Sequence, residues 1–349
     1  MFHRINKAVP SIWLTPSTLA IGLGAKQIQL PEVSLEEQKM ITALYSGIVA
    51  GQLDVIEQSI GVTKAETAKL LEKLQPVLEQ DQPTSRGSWV ELGFAEMARA
   101  SLDYQVNGEM VLAERWHRVI HIDQIDKTGL LLAKALLASG VGKIISHDDG
   151  VILNTDLGEL GFPANSLGKN RVQVANQILA ELSLVSDSRP RLICANEIKP
   201  NQRISFAITV GHLAFNPRTY SRWLSRDVRH LGICFNSENT LISPLIIPGE
   251  TACLNCFQEH LVDEDENWPI IASQLLGLPR FRDDASALTT AVGLATRTIL
   301  RDLDEQAGFK FKATDSEEYL EGYLLEYSTG NVQRLRFNKH ELCLCLEIT

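Results

Sequence analysis

Residues 118–150 read RVIHIDQIDKTGLLLAKALLASGVGKIISHDDG. Arg118 to Ile122 has strand character, Leu130 to Ala138 is an apolar run of helix formers, and Lys143 to His147 is a second strand. Strand, helix and strand within about thirty residues is the span of a βαβ unit, whose two strands are parallel. Downstream the alternation continues. Arg171 to Leu184 predicts a helix, and Arg191–Cys194, Ile204–Val210 and His230–Phe235 predict strands. Residues 284–306 have a helical pattern, and Ser328-Thr329-Gly330-Asn331 marks a hairpin turn. This alternation implies an α/β fold with a largely parallel sheet over residues 112–349.

Upstream the pattern changes. Leu19, Ile21 and Leu23 alternate on one predicted strand, and Ile28 and Leu30 on another. Ser34 with Glu37 has the form of a capping box, in which hydroxyl and carboxylate satisfy reciprocal backbone donors. The helix it opens carries Met40, Ile41, Leu44, Tyr45 and Ile48 on one face. Leu53 to Ile60 predicts a short second helix stopped by Gly61. Thr63 and Glu66 cap a third, whose Ala68, Leu71, Leu74 and Leu78 recur at helical spacing. The expectation is a small winged-helix-like domain over residues 1–82. Pro83 to Ser88 then opens a linker, residues 83–111, in which Phe94 to Tyr104 is amphipathic.

The chain has 349 residues, with 33 Lys plus Arg against 43 Asp plus Glu and a net charge of −10. That length suits roughly two domains. Residues 31–82 hold four Lys, no Arg and nine acidic residues. Phosphate contacts need a positive footprint, so nucleic acid is not an expected partner. No apolar run approaches the ~20 residues of a membrane span. Met1 to Pro10 lacks the apolar core of a signal peptide, so the expectation is a cytoplasmic protein without a membrane partner. Six cysteines are too sparse for a disulfide scaffold. Cys194 and Cys234 sit alone in apolar runs, as small buried hydrophobes do. Cys253 with Cys256, and Cys343 with Cys345, form two close pairs open to metal or redox chemistry. His117, His121, His147 and His230 read as core or surface residues, and Asp263–Glu266 as a solvated loop before a helix.

The stretch from Arg118 to Arg171 resembles the first βαβ of the E1-like superfamily, the ThiF/MoeB-type enzymes that activate ubiquitin-like and sulfur-carrier proteins. Gly140-Val141-Gly142 after the helix, the strand ending at Asp148, and the Gly168–Arg171 turn carry the resemblance. Residues 244–276, PLIIPGETACLNCFQEHLVDEDENWPIIASQLL, resemble the E1-like partner proteins of cyclodehydratases that build thiazoles and oxazolines in ribosomal peptides. The Pro-Gly-x-x-x-Cys-x-x-Cys segment, then Asp263, Asp265, Trp268, Pro269, Gln274 and Leu275, and finally His340 with Cys343-Leu344-Cys345, match that subgroup. The resemblance implies a Rossmann-like domain with a structural zinc held by Cys253, Cys256, Cys343 and Cys345. Cys343 and Cys345 on a regular strand would share a face. It also implies that the N-terminal domain is a leader-peptide clamp, with Leu19, Ile21 and Ile28 on strands and Lys69 and Lys73 on the third helix as contacts.

The adenylating members place a Gly-rich loop after the first strand, where backbone approaches nucleotide phosphates. Here that loop falls on Gln124-Ile125-Asp126-Lys127-Thr128-Gly129, of which only Gly129 is glycine. Asp123 and Asp126 add negative charge; a carboxylate about 4 Å from a phosphate charge costs ~4 kcal/mol at an effective dielectric near 20. Asp148 stands at the ribose-binding position, and is equally read as a surface Asp. Where the family has Asn, phosphate-binding Arg and Lys, this chain has Asp156, Glu159 and Arg171. Gly211-His212 replaces the metal-binding Asp turn. The expectation is a vestigial nucleotide loop and no bound ATP. The resemblance, with these departures, implies a non-adenylating scaffold, without enzymatic activity of its own, that binds a precursor leader peptide and docks an ATP-dependent cyclodehydratase. A homodimer is implied weakly by E1-like relatives. The alternatives are an active adenylyltransferase of a carrier protein, using Lys127, Lys169 and Arg171 for phosphates, and an unrelated protein-binding adaptor.

Overall fold

Short apolar strands and capped helices at the start of the chain build their own core. The computed structural model describes residues 3–24, 27–49, 51–79, 93–182, 192–194, 203–278, 284–310 and 320–347. They divide into two units, residues 1–114 with 309–313, and residues 115–308 with 314–349.

In the first unit, β1 (Arg4–Ile5) is followed by β2 (Ser11–Trp13), β3 (Leu19–Ile21) and β4 (Ile28–Leu30), which form an antiparallel sheet with β3 in the middle. Helices α1 (Leu35–Ser46), α2 (Leu53–Ile60) and α3 (Lys64–Leu74) follow. Both expected capping boxes form, Ser34 with Glu37 and Thr63 with Glu66. Met40, Ile41, Leu44 and Ile48 are buried with Leu19, Ile21, Leu70 and Leu74. Each such side chain contributes roughly 1.5–3 kcal/mol by leaving water. Two details differ from the sequence expectation. Leu23 lies beyond β3 and is 65% exposed. Leu78 leaves α3, because Pro76 in the following 3-10 turn cannot continue a helix, and joins β5 (Leu78–Glu79), paired with β1.

The described part of the expected linker, residues 93–111, is largely helical. α4 (Phe94–Tyr104) and α5 (Gly108–Trp116) lie in it, and the Asn6 side-chain amide donates to the Ala98 carbonyl at 3.0 Å. Residues 93–114 group with the first unit. The Pro83–Ser88 loop signal lies outside the described residues.

The second unit contains β6 (Val119–Ile122), α6 (Lys127–Ala138), β7 (Lys143–Ser146), α7 (Arg171–Leu182), β8 (Leu192–Cys194), β9 (Phe206–His212) and α8 (Pro217–Leu224). It continues with β10 (His230–Phe235), β11 (Asn239–Ile242), α9 (Leu254–Glu264), α10 (Trp268–Leu275), α11 (Ala285–Gln306), β12 (Gly322–Glu326) and β13 (Val332–Leu335). Eight strands make one mixed sheet in the order β13-β12-β11-β10-β9-β6-β7-β8. Pairing is parallel from β8 through β10 and antiparallel from β10 to β13, the last turn being the expected hairpin. Every residue of β6 is buried, as a central parallel strand requires. Ile120 and Ile122 join Leu130 and Ala133 of α6 and Leu288 and Ile299 of α11 in the main core. Gly142 is fixed by packing, since a Cβ there would lie 1.7 Å from the Trp116 carbonyl oxygen. No helix of the described residues is long and apolar enough to cross a membrane.

Candidate functional site

The order of β7, β6 and β9 puts a chain reversal next to β6, and in open α/β sheets the crevice beyond such strand ends is the usual ligand position. Three carboxylates and one guanidinium fill it. Asp126 is the N-cap of α6 and accepts the Gly129 N–H at 2.9 Å, with its other oxygen 3.6 Å from His212 Nε2. Asp148 accepts the Ile125 N–H at 2.7 Å and the Gly150 N–H at 2.8 Å. Asp156 accepts the Leu153 N–H at 2.9 Å and takes Arg171 through Nε at 3.0 Å and Nη2 at 2.8 Å. Arg171 Nη1 lies 3.5 Å from Asp148, and all four side chains are buried. Burial opposes the Arg171 charge, but Asp156 and Asp148 outweigh it and hold its pKa above the ordinary value. The surviving glycine also has a packing reason. A Cβ at Gly129 would stand 1.9 Å from the Gln124 carbonyl oxygen. The four positions singled out in the sequence, Gln124, Asp126, Gly129 and Asp148, are thus brought together around the β6–α6 loop.

On the other face of β6 lies a cluster that sequence reading did not assemble. His121 Nε2 and His147 Nδ1 are 2.6 Å apart, and the His121 ring lies 4.5 Å from Trp223. Asp123 bonds Arg222 at 2.5 Å and lies 3.5 Å from His121 Nδ1. Burial, followed by Arg222, His147 and Arg226, drives the His121 pKa well below its ordinary value. Burial raises Asp123, against the Thr209 and Arg222 contacts. Strand alternation alone places His121 opposite Ile120, but no local signal names its partners.

The two cysteine pairs converge. Sγ–Sγ distances are 3.8 Å for Cys253–Cys256, 3.6 Å for Cys253–Cys343 and 3.3 Å for Cys256–Cys345, and all four residues are buried. Disulfides would need about 2.05 Å. Four sulfurs tetrahedrally placed at ~2.3 Å from one zinc lie about 3.8 Å apart, so the cluster fits a closed metal site. Burial raises the Cys345 thiol, while the hydrogen bond with Cys253 lowers that of Cys256, so the four sulfurs are not equivalent. The geometry differs from the expected strand. Cys343 precedes and Cys345 lies within a 3-10 turn, Leu344–Glu347, and the tight helical turn brings both sulfurs inward. Nearby, His340 Nε2 donates to Asp263 at 2.9 Å while its Nδ1 accepts the Leu342 N–H at 3.2 Å. Asp263 thus ties the end of α9 to the segment carrying the second pair. Cys234 is buried apart from the cluster and its thiol is pushed up to about 12; the Cys194 side chain lies outside the described residues.

In the first unit, Leu19 and Ile21 sit on the central strand β3, buried in the core, so neither offers an open edge. The edges are β2 and β4. Ile28 lies half-buried on β4, and β2 presents Ile12 and Trp13, 39% and 43% exposed. Lys69 and Lys73 stand one turn apart on the exposed side of α3.

Solved structures share the fold of this chain. The microcin C7 biosynthetic enzyme MccB in complex with N-formylated MccA has a TM-score of 0.70 at 15% identity, over 99% of this chain and 100% of that one. Escherichia coli MccB with ATP scores 0.69 at 15% identity, over 98% of this chain and 99% of that one. The fold is that of MccB. PaaA is similar over 78% of this chain and 91% of its own, with a TM-score of 0.57 at 15% identity. No protein-family model and no curated protein matches the sequence.

Proposed function

We propose that this chain is a non-adenylating scaffold in ribosomal peptide modification. It binds a precursor leader peptide through its first unit and presents it to an ATP-dependent cyclodehydratase that installs thiazoles or oxazolines. The observation that carries this reading is the occupation of the strand-end crevice by the chain's own groups. A phosphate at the start of α6 would meet the Asp126 carboxylate already bonded to the Gly129 N–H, with Asp148 and Asp156 beyond it. Arg171, the cation best placed to compensate, is held by Asp156 and Asp148. A leader adding to the open edge of β2 or β4 would gain main-chain hydrogen bonds, with Lys69 and Lys73 meeting acidic leader side chains. Zinc at Cys253, Cys256, Cys343 and Cys345 would be structural, because four protein ligands leave no open position. A neighbour described as a microcin biosynthetic enzyme and solved with MccA supports a place in peptide biosynthesis.

A second reading, adenylation by this chain, is favoured by the likeness to MccB solved with ATP. Calorimetric titration of the zinc-quantified protein with Mg·ATP separates the two. No binding up to millimolar ATP, with one zinc per chain, is the expected result. Micromolar binding with ATP–pyrophosphate exchange would establish the second reading instead.

A further inference from the structure

The sequence WPIIASQL of α10 is apolar, and none of its residues is buried. Ile270 is 62% exposed, Ile271 36%, and Leu276 and Leu278 just beyond the helix 41% and 50%. The inner side is incompletely seated as well. Trp268 and Leu275 line a cleft of about 440 Å³ with Leu213, Phe215, Leu241 and Phe257. The Trp268 indole N–H is held by Gln258 Oε1 at 2.8 Å. Contiguous exposed apolar surface of this kind marks an interaction site.

The charge beside it selects the occupant. Asp263, Glu264, Asp265 and Glu266 are all exposed at the joint between α9 and α10. Residues 254–278 contain five acidic residues and no Lys or Arg. A second copy docking by a two-fold axis would set this patch against itself, acids facing acids, in a chain of net charge −10. Anionic lipid headgroups would repel the same run. We infer that α10 and the cleft beneath it are the docking element for a protein partner presenting an apolar face bordered by Lys and Arg. The inference rests on the scaffold reading for the partner's role as the modifying enzyme; the surface itself does not depend on it.

The test uses the full chain and two labelled amphipathic helical peptides with the same Leu face, one with a Lys polar face and one with Glu. In fluorescence anisotropy the Lys peptide is expected to bind wild type at least ~10-fold tighter than the Glu peptide. It should lose about as much affinity on the Ile270→Asp/Leu276→Asp protein. Charge attraction alone predicts the opposite, because the variant is more acidic. Ile270→Ser/Leu276→Ser, which leaves the charge unchanged, must weaken binding too. Equal or tighter binding to either variant, equal binding of the Glu peptide, or self-association lost in the variants would overturn the inference. Failure here with ATP still unbound would remove the docking surface and leave the scaffold reading standing. Adenylation activity would remove that reading and leave the surface.

Discussion

Arg171 shows how a single buried cation can fix the character of a crevice. Asp156→Ala would leave its guanidinium buried without its hydrogen-bonded partner, with Asp148 and Asp126 farther off, and breaking such a pair costs about 3–5 kcal/mol, read by urea denaturation. Asp156→Asn should cost less, because the amide oxygen still accepts a guanidinium hydrogen bond. His230 gives a pH dependence. Its Nδ1 bonds the Val228 carbonyl at 2.8 Å, and burial lowers its pKa from 6.5 to about 4. The unfolded chain therefore takes up a proton near pH 6.5 that the native state refuses until about pH 4. Stability is independent of this group above pH 6.5 and falls by about 3 kcal/mol as pH drops through that window. Denaturation of wild type and His230→Phe at pH 7.5, 6 and 5 measures it, and the variant should lose that part of the slope. At this scale the sequence was legible where charge type matters. Asp156 and Arg171 were both singled out in the sequence and meet in the crevice, whereas the 2.6 Å approach of His121 to His147 depends on β6 and β7 being neighbours and has no local signal.

Among the elements, the 3-10 turn Leu344–Glu347 is held to the body through sulfur contacts with Cys253 and Cys256 and through the bond from His340 to Asp263. Removing the proposed zinc with a chelator, or substituting Cys343→Ser, should release it. Limited proteolysis is expected to cut within residues 339–347 far faster than in the untreated protein, with cleavage of α1 to α3 unchanged. An unaltered cleavage pattern after complete zinc loss would mean that packing alone holds the turn. Capping is a smaller effect. Thr63→Ala removes the acceptor for the Glu66 N–H, and the first unit should lose about 1 kcal/mol. Both capping boxes and the Gly61 stop were visible in the sequence because their chemistry is local. The strand β2 was not, since Ile12 and Trp13 are exposed and its identity comes from pairing with β3.

For the whole molecule, the two largest hydrophobic cores among the described residues, one in each unit, imply two cooperative structures. Leu19, Met40 and Leu74 belong to one, and Ile120, Leu130 and Ile299 to the other. Calorimetry should resolve two transitions, of which removal of the proposed zinc lowers only the one carrying the cysteines. A single transition moved as a whole by the chelator would show that the two cores melt together. The α/β class was readable because β6, α6 and β7 follow one another directly. The antiparallel half of the sheet was only partly so. The hairpin at Ser328–Asn331 has local turn chemistry, but β11 lies against β12 across 79 intervening residues.

The sulfur cluster also imposes an order on synthesis. Cys343 follows Cys253 by 90 positions. At roughly 5–20 residues per second on a ribosome, the first pair waits on the order of 5–20 s for the second. During that interval Cys253 and Cys256 are two reducing groups without their complement, open to oxidation or to the wrong metal. A growing chain with limited zinc or an oxidising load is at its most vulnerable then, before the last hairpin has been made.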